Sequence, residues 1–301
     1  MTDSIRQGLI IKAQSGFFTV ETSAGLVVCQ LRGKLKQGRA TGDIAALGDR
    51  VNITVLEDGS GVIESVEERV RAIIRRDPRP QGEYQQVLLA NADQAIFVFA
   101  CAHPSPKLRM LDRFLVIAEK QAIPAVIIAN KIDLVEDAKQ VFGLYESIGY
   151  RVIYTSTKTR AGLDELRSQL QNKISALAGP SGAGKSSLLN EIQPGLGLAV
   201  NEISTAMDKG KHTTVTRQMF ALEGGGYVAD TPGWKSLSLW DTEAAEMDAY
   251  FPELRDLVPN CQFSDCTHSH EPGCAVLAAL KAGKIHAERY ESYLRLRAGQ
   301  E

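Results

Sequence analysis

Nine consecutive residues constrain this chain more than any others. Gly179, Pro180, Ser181, Gly182, Ala183, Gly184, Lys185, Ser186 and Ser187 fit G-x-x-x-x-G-K-[ST], a phosphate-binding pattern that needs a strand before it and a helix after it. The glycines let the backbone close around an anion with several N–H groups turned inward. Lys185 is placed as a point charge against the terminal phosphates, and Ser186 offers its hydroxyl to Mg²⁺. Residues 187–190 read as the first turns of a helix whose N-terminus faces the phosphate. Residues 174–178 read as a weak strand ahead of it. Alone, the pattern also suits an ordinary glycine-rich turn, so its surroundings decide.

Those surroundings alternate strands with helices. Residues 94–100 (Q-A-I-F-V-F-A) and 125–129 (A-V-I-I-A) are continuous apolar runs, as strands buried on both faces are. Residues 107–121 carry apolar side chains at helical spacing, 151–155 form a third strand candidate, and 162–177 begin as a helix. The pattern implies a parallel, helix-covered sheet, whose ligands sit beyond the carboxyl ends of the strands.

The motifs fall at those ends. The second run leads into Asn130, Lys131, Ile132 and Asp133, the N-K-x-D element with which GTPases read guanine. The Asp133 carboxylate can accept from the N1–H and 2-amino groups of guanine together. Asn130 can serve the ring's acceptor edge or brace the phosphate loop, and the Lys131 stem can cover the base. Adenine lacks the 2-amino group, and a site built to hydrogen-bond a missing group rejects the analogue by about 10⁴–10⁵. A plain helix N-cap by Asp133 is the duller alternative. The third strand ends in Thr155, Ser156, Thr157 and Lys158, similar to an S-A-K element with Thr157 in place of Ala; Ser156, Thr157 and Lys158 are therefore candidate base contacts.

Downstream, residues 208–216 (D-K-G-K-H-T-T-V-T) lie where a first switch belongs. Thr213 or Thr214 is the candidate to close on Mg²⁺ and the γ-phosphate. A hairpin over residues 215–229, turning at Gly224, Gly225 and Gly226, runs into Asp230, Thr231, Pro232 and Gly233. D-x-x-G at a strand end is the second switch, with Asp230 on Mg²⁺ through water and the Gly233 N–H on the γ-phosphate. In ordinary GTPases the phosphate loop comes first and N-K-x-D late. Here N-K-I-D precedes it, so the domain is circularly permuted, and the second switch leads directly into the C-terminal part.

That part carries Cys261, Cys266, His268 and Cys274. Three thiolates and one imidazole complete a tetrahedral Zn²⁺ set and leave no position for water, which is a structural site. His270 is the alternative imidazole. Five cysteines, three of them clustered, point to metal rather than to disulfides. Residues 275–300 read as two short helices broken at Gly283, locally basic through Lys281, Lys284, His286, Arg289, Arg295 and Arg297.

The N-terminal seventy residues look different. Runs at 8–12, 17–21, 26–31, 50–56 and 61–66 are short, rich in Ile, Val, Phe and Thr, and separated by turn residues, as in a small closed barrel such as the OB-fold. Arg32, Lys34, Lys36 and Arg39 sit in a long loop with no acid from residue 30 to 42, a candidate contact for a phosphate backbone. Arg69, Arg71, Arg75 and Arg76 form a second basic run, and residues 77–82 read as a linker. The net charge of −2 over 301 residues argues against a generally polybasic nucleic-acid binder. The first residues lack an apolar signal core, and no segment is long and apolar enough to cross a bilayer, so a cytosolic protein is expected.

The barrel with L-R-G-K-L (residues 31–35) and G-D-R-V (48–51), the permuted motifs, and C-x4-C-x-H-x5-C with E-P-G-C (271–274) together resemble one family closely: the bacterial ribosome small-subunit-dependent GTPases, RsgA (YjeQ). The resemblance covers nearly the whole chain. It implies an OB-fold RNA-binding domain over 1–78, a circularly permuted α/β GTPase domain over 79–242 and a helical zinc-binding domain over 243–301. It implies GTP with Mg²⁺, one structural Zn²⁺ with His268 rather than His270 as ligand, and a cytoplasmic monomer that binds the maturing small ribosomal subunit and its rRNA. The family's first-switch pattern G-R-H-T-T is similar to residues 210–214, with Lys211 for Arg, and Trp234 stands where D-T-P-G usually continues with Phe. Many GTPases carry a glutamine there to orient the attacking water. The Trp234 indole only donates, so slow hydrolysis is expected in the free protein, with His212 the candidate orienting group.

Overall fold

In a computed structural model, residues 5–36, 42–76, 84–196, 217–230 and 242–300 are described, with Lys36, Arg76 and Asp230 described by backbone alone. They fall in two compact units, the first drawn from the spans 1–96, 163–181 and 185–237, the second from 97–162, 182–184 and 238–301.

The first unit begins with the five expected strands: β1 (Ile5–Gln14), β2 (Phe17–Thr22), β3 (Gly25–Leu31), β4 (Arg50–Val55) and β5 (Gly61–Val66). Antiparallel pairs β1–β2, β2–β3 and β4–β5 are joined by a parallel β3–β5 pair and closed by β1 against β4. Alternation sends one side chain in two inward. Ile10, Phe18, Val20, Val27, Val51, Ile53 and Ile63 fill the interior, each contributing roughly 1.5–3 kcal/mol of burial. The long loop after β3 opens with a short 3-10 turn, Gly33–Lys36.

The second basic run is not a uniform surface feature. Arg69 turns inward, its Nε and Nη2 each 2.8 Å from the fully buried Asp49 carboxylate, which also accepts from the Ala46 N–H. The following residues form a hairpin absent from the sequence reading, β6 (Ala72–Arg76) against β7 (Gln85–Ala90). The expected linker lies outside the described residues.

The same unit holds α3 (Leu163–Leu170), β11 (Ile174–Ala178), α4 (Lys185–Ile192), β12 (Arg217–Ala221) and β13 (Tyr227–Asp230), the last three strands ordered β11-β13-β12 with β12 reaching β1. β11 and β13 are parallel and β12 and β13 antiparallel, which sets the strand before the glycine loop beside the hairpin that leads into D-x-x-G. Tyr227 Oη donates to Glu21, pinning the start of β13 to the barrel.

The second unit takes over within β8 (Gln94–Ala100) and carries α1 (Leu108–Lys120), β9 (Ala125–Asn130), α2 (Lys139–Ser147) and β10 (Arg151–Thr155), with β9 and β10 parallel. Phe97 and Phe99 pack on Phe114 of α1, with ring centroids 5.5 and 6.2 Å apart. Short helices follow at α5 (Pro252–Arg255), α6 (Ala275–Lys281) and α7 (Ala287–Arg297), and Gly283 at φ +71° breaks the last two as expected. Met247, Phe251, Leu254, Val276, Ile285, Tyr293 and Leu296 form a core with Val116 of α1.

Inside that core sits a charge. Arg289 is 1% exposed, and its guanidinium donates to Asp112 at 2.7 Å and to both oxygens of Glu253 at 2.6 and 3.2 Å. Its guanidinium carbon, Cζ, lies over the Phe251 ring, 4.5 Å from the centroid. Burial alone would depress its pKa, but the two carboxylates outweigh that and hold it raised. Tyr145 of α2 and Ser292 of α7 donate to the same Asp112. Truncating one partner of a buried pair strands the others and costs ~3–5 kcal/mol. Arg289→Ala should therefore lower the urea midpoint sharply, whereas Arg295→Ala, on the partly exposed face of the same helix, should shift it little.

Candidate functional site

β9 delivers Asn130 to its carboxyl end, 1% exposed. The next residue, Lys131, turns the chain in a left-handed conformation at φ +63° and caps a short 3-10 turn, Ile132–Leu134. The backbone therefore turns between Asn130 and Asp133, and the two side chains take different tasks. Asn130 Nδ2 donates to the Ala183 carbonyl at 2.8 Å, and its Oδ1 accepts from Thr155 Oγ1 at 3.0 Å. Of the two roles open to it in the sequence, the geometry gives it the bracing one. Gly184 explains the closeness: at φ +96° it stands so near that a Cβ would run into the Asn130 amide nitrogen.

Asp133 is exposed, with one carboxylate oxygen held by Ser156 Oγ at 2.6 Å. Ser156 is fully buried, and its oxygen also accepts from the Thr159 N–H at 3.1 Å. A carboxylate aimed by a fixed hydroxyl, with acceptor capacity to spare toward solvent, suits a planar ligand edge that offers two donors. Thr157 is half-buried and Lys158 exposed. Lys131 Nζ donates to the His103 carbonyl, which lays its stem along the loop after β8. Thr155, which sequence reading passed over as the last strand residue, links the third strand end to the guanine motif. Its one signal was its place directly before Ser156.

In the first unit, Gly179, Pro180, Lys185 and Ser186 are buried. Lys185 Nζ donates to the Gly179 and Pro180 carbonyls at 3.0 Å each, so the ammonium is curled into its own loop. Lys185, Ser186 and Ser187 form the first turn of α4, where N–H groups without helical partners suit an anion. Ala183 is fully buried; Ser181 and Gly182 are exposed. His212, Thr213, Thr214, Thr231, Pro232, Gly233 and Trp234 lie outside the described residues, and Asp230 is placed by its backbone at the end of β13.

The four expected metal ligands come together. One donor atom each from Cys261, Cys266, His268 and Cys274 lies within 4.8 Å of the others. Three sulfurs and one nitrogen at this spacing fit a tetrahedral ion with arms of about 2.0–2.3 Å after slight contraction. His270 is exposed and its Nδ1 faces Ser269 Oγ at 2.8 Å, so it is not in the set. Burial and the neighbouring Cys274 push the Cys266 thiol up to about 12, a cost that a coordinated cation removes. Cys29 and Cys101, pushed up to about 11 by burial, are inert core thiols.

Comparison with known proteins adds the lineage. The RsgA N-terminal domain model matches residues 7–63 and the RsgA GTPase model residues 66–240. A relative named small ribosomal subunit biogenesis GTPase RsgA, from Gemmatimonas aurantiaca, is 42% identical over 96% of this chain and 96% of its own. The chain belongs to the RsgA family. A protein of the same name from Moorella thermoacetica is also 42% identical, over 96% of this chain and 95% of its own. Among solved structures, YjeQ from Thermotoga maritima matches with a TM-score of 0.79 at 37% identity, covering 99% of both chains. YloQ, described as a circularly permuted GTPase, matches with a TM-score of 0.76 at 32% identity, over 99% of this chain and 95% of that one. The motif order of this RsgA-family chain is the permuted one, and its barrel and Cys₃His cluster flank it as the resemblance implied.

Because Ser156 is, among the described residues, the side chain that donates to Asp133, Ser156→Ala should loosen that carboxylate. We expect guanine-nucleotide affinity to fall about tenfold, equivalent to about 1.4 kcal/mol, and the melting temperature to drop modestly because the Thr159 N–H loses its acceptor as well. Titration of a fluorescent GDP analogue measures it.

Proposed function

We propose that this RsgA-family GTPase binds GTP with guanine on Asp133 and phosphates on the loop from Gly179 to Ser187, and hydrolyses it while bound to the maturing small ribosomal subunit. The observation that carries the base assignment is the Asp133 carboxylate, steered by Ser156 and left with acceptors for the N1–H and 2-amino groups. In this reading Asn130 acts through the loop it braces, Lys131 covers the base, and Ser156, Thr157 and Lys158 flank the guanine carbonyl. Lys185 leaves its own carbonyls for the β- and γ-phosphates, an exchange of one pair of acceptors for a more charged one. Ser186, Asp230 and one of Thr213 and Thr214 would hold Mg²⁺, which supplies neutralisation of the charge that develops on the phosphates. The Gly233 N–H meets the γ-phosphate.

Trp234 offers no acceptor to the attacking water, so turnover in the free protein is slow and His212 orients the water once the subunit positions the first switch. Cys261, Cys266, His268 and Cys274 hold a structural Zn²⁺ that fixes the C-terminal helices. The functional modules run over 1–78, 79–242 and 243–301. The exposed Arg32 and Lys34 of the barrel loop supply phosphate-backbone contacts to rRNA, local ones as the near-neutral total charge requires. Among the described residues no helix is long and apolar enough to cross a membrane, and the protein works as a cytoplasmic monomer.

Two variants test the chemistry. Asp133→Asn turns an acceptor into a donor and should move preference from GTP toward xanthosine triphosphate, whose 2-oxo group needs one; unchanged preference for GTP in competition binding contradicts the base assignment. His212→Ala should bind GTP normally yet lose most of the phosphate release that small subunits stimulate. Near-normal stimulated turnover would remove His212 from the mechanism.

A further inference from the structure

We infer that Asp248 belongs to the metal site without being a ligand: it fixes which nitrogen of His268 meets the ion. The inference rests on reading the Cys₃His cluster as a metal centre. His268 is fully buried, and its Nδ1 lies 3.6 Å from Cys261 Sγ and 3.4 Å from Cys274 Sγ. That nitrogen therefore faces into the thiol set. The other, Nε2, lies 3.0 Å from Asp248 Oδ2. A carboxylate only accepts, so Nε2 carries the proton and donates, and the Nδ1 lone pair is left for the cation.

The rest of the residue is held as well. Tyr290 Oη donates to the His268 carbonyl at 2.6 Å, and the Tyr293 ring flanks the imidazole at 6.0 Å between centroids. The His268 backbone sits at φ +60°, a conformation that neighbouring contacts must maintain. With backbone and ring flank fixed, Asp248 supplies the remaining constraint, the tautomer. It sits in the 3-10 helix Ala244–Tyr250, twenty residues before its histidine, so no ligand-spacing pattern includes it. It also lies only fifteen positions after Gly233, which brings the metal's support into the chain that leaves the second switch.

Outer carboxylates of this kind are worth ~10–100-fold in metal affinity. In the full-length protein, zinc competition against a chromophoric chelator should show that loss for Asp248→Ala. Asp248→Asn keeps an acceptor oxygen without the charge and should fall between Ala and wild type. Unfolding at saturating zinc should show both variants folded, and cobalt-loaded samples should keep the tetrahedral three-sulfur, one-nitrogen absorption, because no ligand has been removed. Long-range nitrogen NMR of the zinc-loaded wild type should place the proton on Nε2 and the metal on Nδ1. Equal zinc affinity in Asp248→Ala and wild type, or metal on Nε2, overturns the assignment. A wild type that takes up no zinc overturns the metal reading itself. If Asp248→Ala does not fold, the wild-type nitrogen spectrum decides alone.

Discussion

One buried amide holds the second unit's motifs in register. Asn130 spends its Nδ2 on the Ala183 carbonyl and its Oδ1 on Thr155 Oγ1, joining a guanine-motif residue, the end of the third strand and the glycine loop through a side chain 1% exposed. Both hydrogen bonds are sheltered from water, and an unmet buried amide group costs about 1–3 kcal/mol. Shortening the side chain would thus leave two partners unmet in two separate segments. Gly184 must lack a Cβ for the contact to form. The motif spacing that looks like a list in the sequence is, physically, a set of donors and acceptors with one mutual solution.

A second joint lies on α7, which grips in two directions. Arg289 and Ser292 reach Asp112 of α1, while Tyr290 and Tyr293 donate to the His268 and Thr267 carbonyls. Residues three apart on a helix share a face, so the sequence R-Y-x-S-Y places two pairs side by side. The Cys₃His loop and the helix after β8 thereby share one support. Permutation makes this useful. The chain leaving Asp230 runs into the element carrying Asp248, and on to the ligands. Close packing in the interior makes such a support resist local deformation.

Much of this was readable beforehand. Barrel strands, α1, β8 to β10 and the phosphate loop carry strong periodicity or fixed chemistry, and the Cys₃His cluster declares itself by residue type. What escaped depends on distant partners. β6 and β7 lie on either side of residues 77–82, where Pro and Gly suggest only a linker, and the strands find each other through pairs such as Ile73 with Leu89. α2 has a mid-helix glycine and buries only Phe142 and Tyr145, too little for a helical stripe. Arg69 looked like one more surface cation, yet its acceptor, Asp49, is twenty residues upstream. Asp248 is likewise an unremarkable acid until the fold brings it to His268.

The account ties a permuted guanine site to an assembling ribosomal particle, and nucleotide-dependent co-sedimentation with small subunits tests that tie most directly. With a non-hydrolysable GTP analogue the protein should pellet with the subunits. With GDP it should stay largely in the supernatant, and with GTP it should shift from pellet to supernatant as phosphate appears in the same tubes. Equal pelleting in every nucleotide state, with phosphate release unaffected by subunits, would contradict the account.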